Sequence, residues 1–138
     1  GAEALVAAAA EMLTRPYRIR GMVTHGAGRG AKIGFPTANI DAIDTILPGV
    51  GVYGGWAHIG DESYPTAINI GPNPTFGEDV LKVEAHVIGY SGSLYGQPLE
   101  VDFLARVRET RPFASVEELK EQLAADVRFV RDLGTARK

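Results

Sequence analysis

Apolar and polar residues alternate with period two along much of this chain, the mark of half-buried strands. The longest run sets Leu99, Val101, Phe103, Ala105 and Val107 against Glu100, Asp102, Leu104, Arg106 and Arg108. Leu81, Val83, Ala85 and Val87 alternate with Lys82, Glu84 and His86, and Tyr17, Ile19, Gly21 and Val23 alternate with Arg18, Arg20, Met22 and Thr24. Two further strands are expected over 52–59, broken at Gly54 and Gly55, and over 64–70, joined by a turn at Gly60-Asp61-Glu62. Asp41 to Gly51 reads as connecting loop and Tyr90 to Gly96 as a turn region. Gly71-Pro72-Asn73-Pro74 is expected to be irregular, because neither proline can donate to a ladder.

Near the C-terminus the period changes. Ser115 followed by Glu118 is a capping box, and Val116, Leu119, Leu123, Val127 and Val130 form one apolar stripe on the helix it opens. Gly134 is expected to end that helix. At the other end, alanine-rich Ala2 to Leu13 predicts a helix without a sharp apolar face. Several short strands followed by one helix predict a mainly β fold, an antiparallel sheet closed or nearly closed into a barrel with the helix packed on it.

Composition narrows this picture. The 138 residues fit one domain, and 45% hydrophobic content fills a single core. A net charge of −3 with dispersed basic residues argues against a nucleic-acid partner. The absence of cysteine excludes disulfide and thiolate chemistry. No run is long and apolar enough for a spanning helix and no signal peptide is visible, so no membrane partner and a cytoplasmic location are expected.

The chemistry gathers between Gly26 and Asn39. Gly26, Gly28, Gly30 and Gly34 fall within nine residues, with Arg29 and Lys32 between them. Glycines let backbone N–H groups approach a ligand, and cations in such a loop attract an anion such as phosphate. The loop has no Gly-Lys-Ser/Thr ending and no third glycine at dinucleotide-fingerprint spacing. Beyond it, Pro36 stiffens Phe35 and the segment that follows. In an extended run Thr37 and Asn39 project from one face and offer two neutral oxygen donors, a set suited to Mg²⁺ that also binds phosphates.

The run GRGAKIGFPTAN resembles the signature of the riboflavin kinase family, including the kinase half of bacterial bifunctional FAD synthetases. The resemblance extends to Arg15-Pro16-Tyr17, to the segment 69–77 and to Val83-Glu84-Ala85-His86. It implies a six-stranded antiparallel Greek-key β-barrel with a C-terminal helix packed on it. It further implies that residues 1–14 are the linker helix following an adenylyltransferase module, and residues 15–138 the kinase domain. Opening on Gly1 without Met, the chain reads as an excised C-terminal domain of a longer protein carrying that module.

The implied activity is phosphorylation of riboflavin by ATP, with Mg²⁺, to give FMN and ADP. ATP would then lie on Gly26, Gly28, Arg29, Gly30, Lys32, Gly34, Phe35, Pro36, Thr37 and Asn39, with Thr37 and Asn39 on the metal. Glu84, which from pattern alone is a solvated strand carboxylate, matches the family's proposed catalytic base. Tyr95 is either an adenine-stacking residue or an ordinary turn tyrosine. Arg108 matches an arginine near the flavin, and a salt bridge with Asp102 or Glu100 explains it equally well. His86 shares the face of Glu84 and either orients substrate or is a surface histidine.

Two rivals remain at this level. A non-catalytic flavin- or nucleotide-binding barrel would not need a base such as Glu84. An oligonucleotide-binding barrel would need a basic groove with stacking aromatics, whereas the five Tyr, five Phe and one Trp here are scattered.

Overall fold

A computed structural model describes residues 11–26, 29–73 and 78–137. Its strands are β1 (Glu11–Thr24), β2 (Ala38–Asp41), β3 (Gly51–Ile59), β4 (Glu62–Asn73), β5 (Glu78–Val87) and β6 (Pro98–Arg108). A single helical turn, α1 (Arg29–Lys32), interrupts the glycine-rich stretch, and α2 (Val116–Arg137) follows the last strand. The strands close into a barrel in the order β1–β2–β5–β4–β3–β6, with antiparallel neighbours throughout. β3, β4 and β5 form a meander and β6 returns beside β3, which is the Greek-key arrangement.

The alternating apolar positions fill the barrel. Ile19, Val23, Val83, Ala85, Leu99, Val101 and Phe103 are buried in one cluster with Ile40, Tyr53, Ile68 and Ile70. A second, smaller cluster lies between the wall and α2 and joins Val52, Ile88 and Val107 to Val130. Ser115 caps the helix as expected, its Oγ accepting from Glu118 N–H at 3.2 Å. Glu118 Oε2 reaches one residue past the cap and accepts from Ala114 N–H at 3.2 Å.

Five expectations are corrected. The helix expected over 2–13 falls mostly outside the described residues, and its last three residues, Glu11 to Leu13, belong to β1. There Glu11 and Met12 pair with Arg106 and Ala105, so cross-strand pairing overrides alanine-rich helix propensity. The segment 71–73 continues β4 rather than leaving it, and the misfit of Pro72 is absorbed by a register shift between Gly71 and Asn73. Leu81, expected inward, is exposed.

β6 departs from strict alternation. Opposite β3, Gly55 and Gly54 pair with Phe103 and Ala105, and Tyr53 and Val52 pair with Arg106 and Arg108. Leu104 and Val107 are the extra residues at these two bulges, and Leu104 is buried where alternation points it outward. Gly134 does not end α2, which runs on to Arg137. The helix rests there on the barrel so closely that a Cβ on Gly134 would sit 3.3 Å from both Pro65 Cγ and Trp56 Cη2. The glycine serves contact, not termination.

Across β1, β6 and β3 the outer wall carries a bonded polar cluster. Arg18 Nε and Nη2 donate to Asp102 at 2.7 and 2.9 Å, and Nη1 donates to Glu100 at 3.2 Å. His58 Nε2 donates to Asp102 Oδ2 at 2.7 Å, and its Nδ1 is hydrogen-bonded with Ser63 Oγ at 2.8 Å. The hydrogen bond and charge of Arg18, aided by His58, hold the Asp102 carboxyl below the usual carboxylate range despite its partial burial.

Candidate active site

A cavity of about 590 Å³ opens between the outer barrel wall and the first half of α2, within the usual size range of small-molecule sites. Its floor is part of a row of directly paired positions that runs across the strands. Thr24 pairs with Asn39, Asn39 with Glu84, Glu84 with Asn69, Asn69 with Val52, and Val52 with Arg108. Paired positions in an antiparallel ladder share a face, so residues far apart in sequence become one polar stripe. Glu84, Asn69, Val52 and Arg108 line the cavity, and Thr37 joins them from the segment before β2. Thr37 Oγ1 lies 3.4 Å from Glu84 Oε2, at the long end of hydrogen bonding.

Asn39 continues the row beyond the cavity wall, toward the glycine-rich stretch. A Cβ on Gly26 would lie 1.7 Å from Asn39 Nδ2, so a side chain there would displace the Asn39 amide. Gly34 has φ of 91°, the left-handed region, where the chain turns out of α1 toward Phe35. Gly28 lies outside the described residues, and Arg29 and Gly30 are described only as backbone of α1. Lys32 is exposed and does not line the cavity. Phe35 lines it, and Pro36 contributes its carbonyl to a hydrogen bond from His86 Nδ1 at 2.7 Å. Tyr95 stacks on His25, with ring centroids 3.6 Å apart and an interplanar angle of 15°.

Arg108 has neither of its expected partners, because Arg18 engages both Asp102 and Glu100. At the end of β6 it reaches α2 instead, where Nε and Nη2 donate to Asp126 at 2.9 and 2.8 Å. Asp126 is only 1% exposed, and Gln122 Nε2 donates to it at 2.9 Å. Arg111 extends the chain by donating to Gln122 Oε1 at 3.4 Å, and its guanidinium lies 4.5 Å from the Phe113 ring centre. The wall facing the polar floor is apolar: Phe113, Leu119, Leu123 and Val127 line it.

Phe113, Gln122 and Asp126 are the residues at the site that sequence reasoning missed. For Asp126 a signal existed. It sits in phase with the stripe Leu119, Leu123, Val127 and Val130, where a carboxylate must be paired if it is to be buried. Asn69 opens the segment 69–77 that resembles the family, but its place beside Glu84 depends on the β4–β5 register.

The arrangement suits a ligand with a flat apolar part and a polar end. A ring system fits against Phe113, Leu119 and Leu123, with hydroxyls directed at Glu84, Asn69 and Thr37. Among the described residues no three His, Cys, Asp or Glu side chains form a metal-holding group. The hydroxyl of Thr37 and the amide of Asn39, beside the Glu84 carboxylate, fit a hard cation that takes its remaining oxygens from phosphate and water.

Comparison with known proteins matches residues 13–133 to the Flavokinase family, described as riboflavin kinase. The bifunctional riboflavin kinase/FMN adenylyltransferase of Bacillus subtilis is 37% identical over 119 residues, covering 83% of this chain and 38% of that protein. Its namesake from Pseudomonas fluorescens is 39% identical over 126 residues, covering 91% and 40%. The chain thus spans about two fifths of the length of these curated relatives. Among solved structures, riboflavin kinase from Trypanosoma brucei aligns with TM-score 0.62 and 29% identity over 86% of this chain and 80% of that one. A longer chain described as a macrolide-efflux protein from Streptococcus pneumoniae aligns with TM-score 0.76 and 35% identity, over 84% of this chain and 38% of that one. No helix among the described residues is long and apolar enough to cross a membrane.

Proposed function

The chain belongs to the riboflavin kinase family, and from that premise we propose that this domain transfers the γ-phosphoryl group of ATP to the ribityl 5′-hydroxyl of riboflavin, giving FMN and ADP. The observation that carries the residue assignment is the meeting of Glu84 and Thr37, 3.4 Å apart, on the floor of a cavity whose other wall is apolar. The isoalloxazine ring lies against Phe113, Leu119 and Leu123, and its ribityl chain runs along Asn69 toward Glu84. Arg108, neutralised by Asp126, shapes the flavin end rather than offering a free charge. ATP approaches from the glycine-rich stretch, where Gly26, Gly34 and neighbouring backbone receive the phosphates, and Tyr95 stands at the outer edge.

Glu84 orients the 5′-hydroxyl and accepts its proton as the oxygen bonds to the γ-phosphorus. The bond from that phosphorus to the β–γ bridging oxygen breaks, and ADP leaves with the electron pair. Thr37 and Asn39 are the residues that would hold Mg²⁺, which supplies charge neutralisation for the phosphates when bound. The hydroxyl of Thr37 also restrains the Glu84 carboxylate, and α2 excludes water from the flavin side. The relatives' names pair this activity with FMN adenylylation; we assign that second activity, in the whole protein, to a module outside these 138 residues. A kinase of this kind draws on ATP of the cytoplasm, where we place it.

Incubation of the chain with riboflavin and Mg-ATP, followed by chromatography of the flavins, tests the proposal. FMN without FAD is the expected result. Riboflavin bound without turnover would instead identify a non-catalytic flavin-binding barrel.

A further inference from the structure

His86 lies two residues beyond Glu84 on β5 and lines the same cavity, yet nothing in the proposed chemistry uses it. The ladder between β2 and β5 pairs Ala38 with Ala85, Asn39 with Glu84 and Ile40 with Val83, and then stops. Continued by one step, the same register sets Thr37 opposite His86. In place of another backbone pairing, the His86 ring reaches across and bonds the Pro36 carbonyl at 2.7 Å. The ring also meets Phe35 edge-on, with centroids 5.7 Å apart. One imidazole therefore fastens the two residues that precede Thr37.

This fastening has a chemical consequence. Pro36 has no N–H, so its carbonyl is the only backbone hydrogen-bonding group it offers. A carbonyl only accepts, so Nδ1 of His86 must carry the proton. The Pro36–Thr37 peptide plane is then fixed, and with it the origin of the Thr37 side chain, whose hydroxyl faces Glu84. We propose that His86 is a positioning residue for phosphoryl transfer: through the Pro36 carbonyl it holds Thr37 where its oxygen meets both Glu84 and the metal–nucleotide. It is neither base nor metal ligand. The inference rests on the kinase reading of the cavity, but part of its test does not depend on turnover.

Two predictions separate this role from simple packing. His86→Leu removes the donor and keeps bulk, whereas His86→Asn places an amide N–H close to the position of Nδ1. Outer partners that orient metal ligands typically matter by about 10–100-fold in affinity or activity. His86→Leu should therefore weaken Mg-dependent ADP binding, measured by calorimetry with and without Mg²⁺, by about 10-fold or more. Metal-free ADP binding and the thermal midpoint should change little. The loss of turnover should appear mainly in kcat at limiting Mg²⁺, and His86→Asn should recover most of both losses. In a Thr37→Ala background His86→Leu should add almost nothing, because the group it positions is gone.

Long-range ¹⁵N–¹H spectra of the wild-type chain should show one of its three histidines locked as the Nδ1–H tautomer and lost in His86→Leu. An Nε2–H tautomer at His86, His86→Asn no better than Leu, or losses that multiply with Thr37→Ala would each overturn the proposal. Absence of FMN from the wild-type chain would sink the kinase reading instead, and it would leave the tautomer and Mg-nucleotide binding results to judge His86 on their own.

Discussion

Two stretches of the barrel's outer wall carry similar sets of polar side chains and differ in how completely those side chains are bonded. Across β4, β3 and β6, Ser63, His58 and Asp102 line up as Ser–His–Asp, residue types that elsewhere activate a nucleophile. Across β2, β5 and β4, Asn39, Glu84 and Asn69 line up with Thr37 beside them. In the first set Asp102 accepts from Arg18 and from His58, and Arg18 also binds Glu100. In the second, among the described residues, the Glu84 carboxylate has one long contact with Thr37, and the Asn69 amide has no hydrogen-bond partner. The first set does not line the cavity, whereas Thr37, Glu84 and Asn69 of the second lie on its floor.

Residue identity alone would favour the saturated face, whereas the proposed chemistry lies on the open one. A guanidinium that holds both oxygens of Asp102 already offsets the charge that a charge-stabilising aspartate would lend to an imidazolium. Spare hydrogen-bonding capacity directed into a cavity is the better sign of chemistry, because a substrate can only bond to what the fold has left open.

The largest expected effect tests the open face. Glu84→Gln keeps the size and a hydrogen-bond acceptor but cannot take the proton of the 5′-hydroxyl, and general-base assistance is typically worth about 10²–10⁴-fold. The loss should fall on kcat, with riboflavin and ATP dissociation constants nearly unchanged. Turnover within a few-fold of wild type in a folded variant would show that the loosely bonded carboxylate is not the base.

The sequence carried these two faces unequally. The barrel interior was legible because Leu99, Val101 and Phe103, or Val83 and Ala85, declare their direction through neighbours two residues away. Glu84 was reachable only through a likeness to a known signature, since alternation alone makes it a solvated strand residue. The glycine-rich stretch and the oxygens of Thr37 and Asn39 stood out by their own chemistry. The row that joins Glu84 to Asn69 and Val52 is a property of register between strands, which no local pattern encodes. Arg108 shows the limit most clearly. Alternation puts it on the outer face with Glu100 and Asp102, and the two one-residue bulges at Leu104 and Val107 cancel and leave it there. Its partner Asp126 lies on α2, whose seat over this end of β6 no strand pattern encodes. The β1 start failed for the complementary reason: Glu11 and Met12 follow a helix-favouring segment, and only β6 makes them a strand.

The next effect is on stability, where the cavity wall contains its own saturated element. Asp126 and Arg108 are nearly buried together, with side chains 2% and 12% exposed. Removing one member of such a pair leaves an uncompensated charge, typically at a cost of about 3–5 kcal/mol. Asp126→Ala should therefore lower the urea midpoint strongly, as followed by circular dichroism. Replacing both residues, Arg108→Met with Asp126→Leu, should recover much of that loss. If the double variant is stable and its riboflavin affinity is unchanged, Arg108 serves packing alone. A specific loss of riboflavin affinity would show that its planar group also touches the flavin.

The smallest expected effect tests the saturated face. Arg18→Ala should leave kcat and KM unaltered, because Arg18, Asp102, His58 and Ser63 stand apart from the cavity lining. Its signature is in the pH dependence of stability. With Arg18 present, the folded state holds the Asp102 carboxyl below its unfolded value, about 3.9. The unfolded chain then binds the proton more readily, so the stabilisation is complete above that pH and is lost as pH falls through the lowered folded value. Without Arg18 the folded value rises, restrained by His58, whose bond to Oδ2 survives. The difference in urea midpoint between wild type and Arg18→Ala should consequently be largest near neutral pH and shrink steadily on acidification below about pH 4. It should remain modest throughout, since the Arg18 side chain is largely solvated and salt screens it. A change in turnover comparable to that of Glu84→Gln would overturn the comparison, because it would make the fully bonded cluster part of the chemistry.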